Sequence, residues 1–200
     1  MVSDTVVAHF RKADPILHAL IVRYGSSAPV QSKDYFYDLV ESIISQQLSE
    51  SAASTIFRRF KSLFRKSRII PASVLALSDR SIRGVGISRS KSSYIKNIAR
   101  ALTTKTLNLQ TLESLDDPLV IEELVKIKGI GPWTAEMFLM FSLGRPDVFS
   151  EADAGLRRAI QNAYHLKTVT PEKLGTISRR WIPYRTYACL TLWRSLKEGN

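Results

Sequence analysis

Two parts of this 200-residue sequence carry residue types that could support chemistry. The first is segment 128–134, which reads KGIGPWT and places two glycines next to a proline and a tryptophan. The second is Asp153, twenty residues after Trp133. Backbone N–H groups that glycine leaves uncovered can bind a phosphate group. A carboxylate can stabilise a developing positive charge, or orient and deprotonate an attacking water molecule.

Segment 128–134 predicts a tight turn between two helices. An apolar helix runs up to Lys128, the chain breaks at 129–131, and Pro132 restarts a helix where proline is favoured. The restarting helix would direct its unsatisfied N–H groups and its positive dipole end at one phosphate. Such contacts touch the nucleic-acid backbone and not the base edges, so they bind without reading a sequence. A helical hairpin without a ligand is the alternative.

Asp153 also fits a purely structural role. Ser150 and Asp153 have the spacing of a capping box, in which two side chains accept hydrogen bonds from backbone N–H groups at a helix start. The residue types alone therefore leave open whether this carboxylate takes part in a reaction or caps a helix.

The charge of the chain indicates the class of partner. Lysine and arginine outnumber aspartate and glutamate by 29 to 18, which gives a net charge of +11 and an isoelectric point near 9.9. Nucleic acid is the leading expectation, although ribosome-associated and membrane-surface proteins share this excess. The clustered cations at positions 58, 59, 61, 65, 66 and 68 fit either a solvated helix face or phosphate contact.

The rest of the composition excludes several classes of protein. A single cysteine, Cys189, rules out an internal disulfide, a cysteine-rich zinc site and a four-thiolate iron–sulfur cluster. The three histidines lack the spacing of metal ligands, so we predict no metal site. The longest apolar run, 137–141, is far shorter than the ~20 residues that a membrane span needs. No secretion signal opens the sequence, so we expect an intracellular protein without a membrane partner.

Apolar residues recur at helical spacing along almost the whole chain, and strand-like alternation is scarce. This pattern predicts an all-α fold of about nine or ten helices. One helix is expected from Val6 to Arg23, one from Asp34, and one from Ser51 to Phe64. Prolines are expected in the first turns of three further helices, namely Pro118 after an Asp117 cap, Pro132 and Pro183.

Several segments together resemble a known family. They are the hairpin with Asp153, segment 43–49 (IISQQLS), segment 86–94 with its glycine, lysine and tyrosine, and segment 181–193, which ends in a tryptophan. In this order and spacing they resemble the helix–hairpin–helix DNA glycosylase superfamily (HhH-GPD), and within it the alkylation-repair branch of 3-methyladenine DNA glycosylases. The resemblance extends from about residue 35 to residue 195.

The resemblance implies the architecture of compact family members, which lack an additional N-terminal α/β domain. The whole chain, 1–200, would form one glycosylase unit as a two-lobed helical bundle with a cleft between the lobes. One lobe would comprise about 1–30 and 145–200, and the other about 35–140. The helix–hairpin–helix motif, about 118–143, would lie beside the cleft.

The resemblance also implies roles for single residues. Asp153 matches the catalytic acid of the family, whose charge acts on the deoxyribose of the damaged nucleotide. Trp133 and Trp193 match walls of the pocket for the extruded base, where aromatic faces attract a positively charged alkylated purine, and Tyr37 is a third candidate wall. The residues implied to bind the DNA backbone are Lys128, Gly129, Ile130, Gly131 and Thr134.

Two further expectations follow from the family. A flipped base leaves a gap in the duplex, and Gln47 falls on the intercalating position that fills it, with Leu48 as the alternative. The family also suggests a monovalent cation held by carbonyl oxygens of the hairpin, and no other cofactor is expected.

The reaction type depends on position 133. Bifunctional family members carry there a lysine whose amine attacks the sugar, whereas this chain has Trp133. The resemblance therefore implies a monofunctional enzyme that hydrolyses the N-glycosidic bond and leaves an abasic site in base excision repair.

The implied partner is double-stranded DNA that contains damaged bases, bound by a monomer. We expect the protein in the nucleus of a eukaryote, or in the cytoplasm and nucleoid of a prokaryote. Two alternatives stay open. One is a non-catalytic protein that grips DNA through the hairpin alone, and the other is a glycosylase for deaminated or oxidised bases.

Overall fold

The structure, a computed structural model, describes residues 2–64 and 68–199. These residues form twelve α-helices and one short 3-10 helix, and no strand occurs among them. The all-α class predicted from the sequence is confirmed. The helices are α1 (Asp4–Ala13), α2 (Pro15–Tyr24), α3 (Tyr35–Ser45), α4 (Glu50–Ser62), α5 (Pro71–Ala76), α6 (Asp79–Gly84), α7 (Arg89–Thr103), α8 (Asp117–Val125), α9 (Pro132–Phe141), α10 (Ala154–Ala163), α11 (Pro171–Arg179) and α12 (Arg185–Glu198), with the 3-10 helix at Thr111–Ser114.

The helices group into two compact units. The first unit comprises Met1–Gln31 and Leu143–Asn200, and in it α12 packs against α2 and α10. The second unit comprises Ser32–Ser142, and in it α7 packs against α3, α5 and α6, while α9 packs against α3 and α8.

The helix count exceeds the nine or ten expected, partly because the predicted helix from Val6 to Arg23 is two helices. They separate at Asp14, since Pro15 has no N–H to continue the hydrogen bonding of α1. Oδ1 of Asp14 accepts a hydrogen bond from the N–H of Leu17 over 3.1 Å and thereby caps α2. The prediction missed a helix boundary that the Asp-Pro pair marks.

Asp14 also joins distant parts of the first unit. The residue is only 1% exposed, and its Oδ2 accepts hydrogen bonds from Nε1 of Trp181 over 3.0 Å and from the hydroxyl of Tyr164 over 2.5 Å. Burial, followed by the bond to Asp14, raises the pKa of the Tyr164 hydroxyl. Because each polar atom of this buried cluster has a partner, the cluster fixes α2 against the C-terminal part of the unit.

Two of the predicted proline positions need correction. The helix that contains Pro118 begins at Asp117, so its cap is Asp116. Pro183 lies before α12, which begins at Arg185 after a residue with non-helical backbone angles, and so it is not in a first turn. Pro132 does begin α9, as predicted.

Two further predicted helices of the second unit are α3 and α4. Asp34 caps α3 through a 3.1 Å bond from the N–H of Tyr37, and α4 begins one residue before the predicted Ser51. Of the basic cluster that follows, Arg65 and Lys66 lie outside the described residues. Arg58 and Arg59 are exposed on α4.

Candidate active site

The predicted glycine turn lies between α8 and α9 in the second unit. Gly129 has φ +114°, and a Cβ atom built there would come within 2.3 Å of the Tyr94 ring, so only glycine fits. Gly131 caps α9 with an ordinary φ of −97°, and a Cβ atom there would meet nothing within 4 Å. The two glycines therefore do different things. The first lets the turn pass over Tyr94, and the second leaves open space at the start of α9.

Side chains of neighbouring helices hold the turn by its carbonyl oxygens. Nδ2 of Asn97 donates to the carbonyl of Lys128 over 3.0 Å, and Nε2 of Gln46 donates to the carbonyl of Gly129 over 3.4 Å. Ile130 is 5% exposed, so its side chain anchors the turn in the core. Only the backbone of Ile130 could therefore reach a ligand, whereas the side chain of Lys128 is exposed.

Thr134 sits in the first turn of α9, and its side chain is not at the surface. It is 2% exposed, and its hydroxyl accepts a hydrogen bond from Nε2 of Gln46 over 3.1 Å. Any contact of this residue with a phosphate must come from its backbone N–H. Gln46 consequently bonds both the turn and the helix that follows it.

The loop 46–48 after α3 contains the predicted wedge. Nζ of Lys91 donates to the carbonyls of Ile44 over 2.7 Å and of Gln46 over 2.6 Å, and desolvation at this position lowers the pKa of Lys91. Gln47 has φ +56° and is exposed, and Leu48 is 38% exposed. Gln46 and Lys91 thus hold the loop from the protein side while Gln47 and Leu48 face outward.

The two aromatic residues predicted in this unit differ in exposure. Trp133 is 36% exposed at the start of α9. Tyr37 is half-buried, and its ring meets the Phe57 ring edge-on at 5.1 Å. Trp133 therefore offers more ring surface to a ligand than Tyr37 does.

Asp153 lies in the first unit and caps α10. Its Oδ1 accepts hydrogen bonds from the N–H of Leu156 over 2.7 Å and from Nε1 of Trp193 over 3.0 Å. The side chain is partly exposed. Asp153 therefore caps α10, which is the structural role that its spacing from Ser150 left open in the sequence. The same carboxylate also accepts a hydrogen bond from Trp193, which the family resemblance implies is a wall of the base pocket.

Gly155 makes room for this pair. A Cβ atom at position 155 would lie 3.1 Å from Oδ1 of Asp153 and 3.3 Å from Nε1 of Trp193. The glycine lets the indole lie against the first turn of α10. Sequence analysis did not single out Gly155, although a glycine two residues after a helix-capping acid is a signal for close approach of another group.

The segment that leads to Asp153 is fixed on the start of α12. Arg185 forms a two-pronged ion pair with Asp147, with Nε to Oδ1 at 2.8 Å and Nη2 to Oδ2 at 3.0 Å. The Thr186 hydroxyl donates to the carbonyl of Arg145 over 2.7 Å and accepts from the N–H of Val148 over 3.0 Å. Because Trp193 lies on the same helix, α12 positions both the approach to Asp153 and its carboxylate.

No group of three or more histidine, cysteine, aspartate or glutamate side chains that could hold a metal ion lies among residues 2–64 and 68–199. In the same residues no helix has the length and apolar character needed to cross a membrane.

The model of the HhH-GPD superfamily of base excision DNA repair proteins matches residues 40–184, a span that contains the loop 46–48, the glycine turn and Asp153. This chain belongs to that superfamily. The HhH-GPD resemblance identified from the sequence is thereby confirmed.

Similar proteins within the HhH-GPD superfamily carry one recurrent name. DNA-3-methyladenine glycosylase 1 of Schizosaccharomyces pombe is 32% identical over 185 residues, with 90% of this chain and 81% of that protein covered. A solved structure of a DNA-3-methyladenine glycosidase from Bacillus halodurans is 36% identical, with a TM-score of 0.84 and coverage of 98% and 91%. The Schizosaccharomyces pombe 3-methyladenine DNA glycosylase in complex with abasic DNA is 31% identical, with a TM-score of 0.85 and coverage of 96% and 97%.

Proposed function

We propose that this protein is a monofunctional DNA glycosylase that excises alkylated purines of the 3-methyladenine type in base excision repair. The observation that carries the proposal is the Asp153 carboxylate, held at the start of α10 by the indole of Trp193 over 3.0 Å. Asp153 lies within the HhH-GPD match, and Trp193 lies shortly after its end at residue 184. The similar proteins named above are 3-methyladenine glycosylases.

In this proposal Asp153 is the catalytic residue. Departure of the base leaves positive charge on the deoxyribose, and a fixed carboxylate stabilises that charge without having to reorganise. The same carboxylate orients and deprotonates the water that attacks the sugar carbon. The bonds from Leu156 and Trp193 supply the rigidity, since both end on Oδ1.

The aromatic residues select the base. An N-alkylated purine such as 3-methyladenine carries positive charge, and a ring face attracts a cation by about 0.5–2 kcal/mol. Trp193, Trp133 and, with less exposed ring surface, Tyr37 take this role. The charge on the base also makes it a better leaving group, so the protein needs to assist its departure less.

The second unit supplies the residues that bind double-stranded DNA. A phosphate is bound by the side chain of Lys128 and by the backbone N–H groups of Gly129, Ile130, Gly131 and Thr134. Gln47, with Leu48 as the alternative, enters the duplex in place of the flipped base.

The protein acts as a monomer on DNA with damaged bases, in the nucleus of a eukaryote or the cytoplasm and nucleoid of a prokaryote.

The hairpin also offers ligands for a monovalent cation. The carbonyls of Ile127, Lys128 and Gly129 each accept one hydrogen bond, from Ile130, Asn97 and Gln46 in turn, and a carbonyl oxygen has two lone pairs. Neutral oxygens of this kind suit a monovalent ion. Such an ion would add positive charge beside the bound phosphate, and no step of the reaction requires it.

Bifunctional members of the family use a lysine at the position of Trp133, so in this proposal water is the nucleophile. A covalent Schiff base with DNA then never forms, so borohydride traps no enzyme–DNA adduct. Efficient trapping would contradict the monofunctional assignment.

Release of free bases from a set of modified duplexes tests the proposal. The set contains 3-methyladenine, hypoxanthine and 8-oxoguanine in otherwise identical DNA, and the assay separates free base from the abasic strand. The expected result is release of 3-methyladenine with an intact abasic strand. Preferential release of hypoxanthine or 8-oxoguanine would assign another lesion, and binding without any release would leave a protein that only grips DNA.

A further inference from the structure

A cavity of about 530 Å³ opens between α6 and α7 in the second unit and is lined by none of the residues assigned above. Four cationic side chains, one carboxylate and two serine hydroxyls line it. The charged residues of this surface, called here the α6–α7 basic cavity, are Arg83, Arg89, Lys96, Arg100 and Asp79. Four cations against one carboxylate attract an anion.

The four cationic side chains differ in their hydrogen bonds and ion pairs with other described residues. Nζ of Lys96 pairs with Oδ1 of Asp79 at 2.6 Å, and Nη1 of Arg100 donates to Oδ1 of Asn97 over 3.1 Å. Arg83 and Arg89 are exposed, and neither guanidinium has a hydrogen bond or ion pair with any residue in 2–64 or 68–199. Two guanidinium groups with open donors at a concave site match the oxygens of a phosphate.

The same helix that lines the cavity supports both DNA-gripping elements of the proposed function. On α7, Lys91 holds the carbonyls of the loop 46–48, and Asn97 holds the carbonyl of Lys128 in the hairpin. Arg89 precedes Lys91 by two residues, and Arg100 is bonded to Asn97 itself. The α6–α7 basic cavity therefore shares helix α7 with the side chains that hold both elements.

We propose that the α6–α7 basic cavity binds backbone phosphates of the same duplex, beside those that the hairpin grips. The inference rests on the proposed function, because it takes the hairpin and the loop 46–48 as DNA contacts. Phosphates follow one another every ~3.4 Å of helix axis along one strand, so a cavity of this size accommodates a run of backbone and not one ion alone. Contact with phosphates adds affinity on damaged and undamaged DNA alike.

The test is the salt dependence of DNA binding by the double variant Arg83→Gln/Arg89→Gln. Binding of an undamaged and an abasic duplex is measured by fluorescence anisotropy over a series of salt concentrations. Each phosphate contact contributes about −0.9 to the slope of log affinity against log salt, so the loss of two contacts makes this slope less steep by about 2. We expect this change on both duplexes, and an unchanged melting temperature because neither side chain has a hydrogen-bond or ion-pair partner to lose among residues 2–64 and 68–199.

The matched control removes two charges elsewhere. Arg11→Gln/Lys173→Gln has the same loss of charge at exposed sites of the first unit and is expected to keep the wild-type slope. If the cavity variant keeps the wild-type slope while the wild type binds DNA and releases base, the inference is overturned and the proposed function stands. Equal slope losses in both double variants would also overturn it, since net charge alone would then be responsible. A wild type that neither binds DNA nor releases base would remove the proposed function instead.

Discussion

The indole Nε1 of Trp193 donates a hydrogen bond to Oδ1 of Asp153 over 3.0 Å, across forty positions of sequence. The bond joins α12 to the first turn of α10, where the N–H of Leu156 donates to the same oxygen. A side chain that the sequence assigned to base recognition thus also holds the proposed catalytic carboxylate. Two roles of Trp193 can be separated by substitution. One is to orient the Asp153 carboxylate, and the other is to offer an aromatic face to the base.

Trp193→Phe keeps a ring and removes the indole donor. A hydrogen bond to a charged group contributes about 1.5–3 kcal/mol, so loss of this bond should slow single-turnover release of 3-methyladenine by about tenfold or more. Affinity for an undamaged duplex should change little. The matched control is Trp181→Phe, which loses an indole bond to buried Asp14 in the same unit. That control should lower the melting temperature and leave the release rate of folded enzyme intact, and equal release rates for Trp193→Phe and wild type would contradict the orienting role.

Gly155→Ala tests the Asp153–Trp193 hydrogen bond without changing either side chain that forms it. Its Cβ atom would press on both Oδ1 of Asp153 and Nε1 of Trp193, whereas alanine favours the helix by about 1 kcal/mol over glycine. Release should therefore fall while the melting temperature holds or rises. Gly175→Ala on α11 is the control, because its Cβ atom meets only the flexible end of Arg179 at 3.4 Å. A variant of Gly155 that keeps full activity would show that the pair tolerates displacement.

The hairpin glycines should respond differently to alanine. Gly131→Ala fills open space at an ordinary φ, so the fold should persist while a methyl group crowds the phosphate and weakens DNA binding. Gly129→Ala would collide with Tyr94 at a left-handed φ and should destabilise the protein itself. Thermal melting and anisotropy on each variant separate the two effects. Unaltered DNA affinity for Gly131→Ala would argue against phosphate at the turn.

Gln46→Glu removes the amide donor that bonds the hairpin and places a carboxylate near the carbonyl of Gly129. The loop 46–48 and the turn would lose their shared side chain, so release and DNA affinity should both fall by about tenfold. Gln110→Glu carries the same charge change at an exposed position of the second unit and should match the wild type. If both variants lose affinity equally, added negative charge and not the lost bond is the cause.

The sequence could predict the elements of this site better than their contacts. Helical periodicity predicted the all-α class, and the resemblance of the hairpin, Asp153 and three further segments to a known family implied the superfamily. The Asp153–Trp193 bond depends on how α12 packs against α10, and the contacts of Gln46 depend on the packing of α3 beside α9. Local periodicity carries no information on such distant pairs. The helix break at Asp14-Pro15 was readable from the proline, and only the burial of Asp14 needed the structure.

The single-turnover release of 3-methyladenine by Asp153→Asn tests the central claim most directly. Asparagine keeps an oxygen that can accept the bonds from Leu156 and Trp193, so α10 stays capped and the fold is preserved. The substitution removes only the negative charge and the ability to take a proton. The account predicts that release is lost while affinity for the duplex stays at the wild-type value. Release at the wild-type rate would contradict the assignment of Asp153 as the catalytic residue.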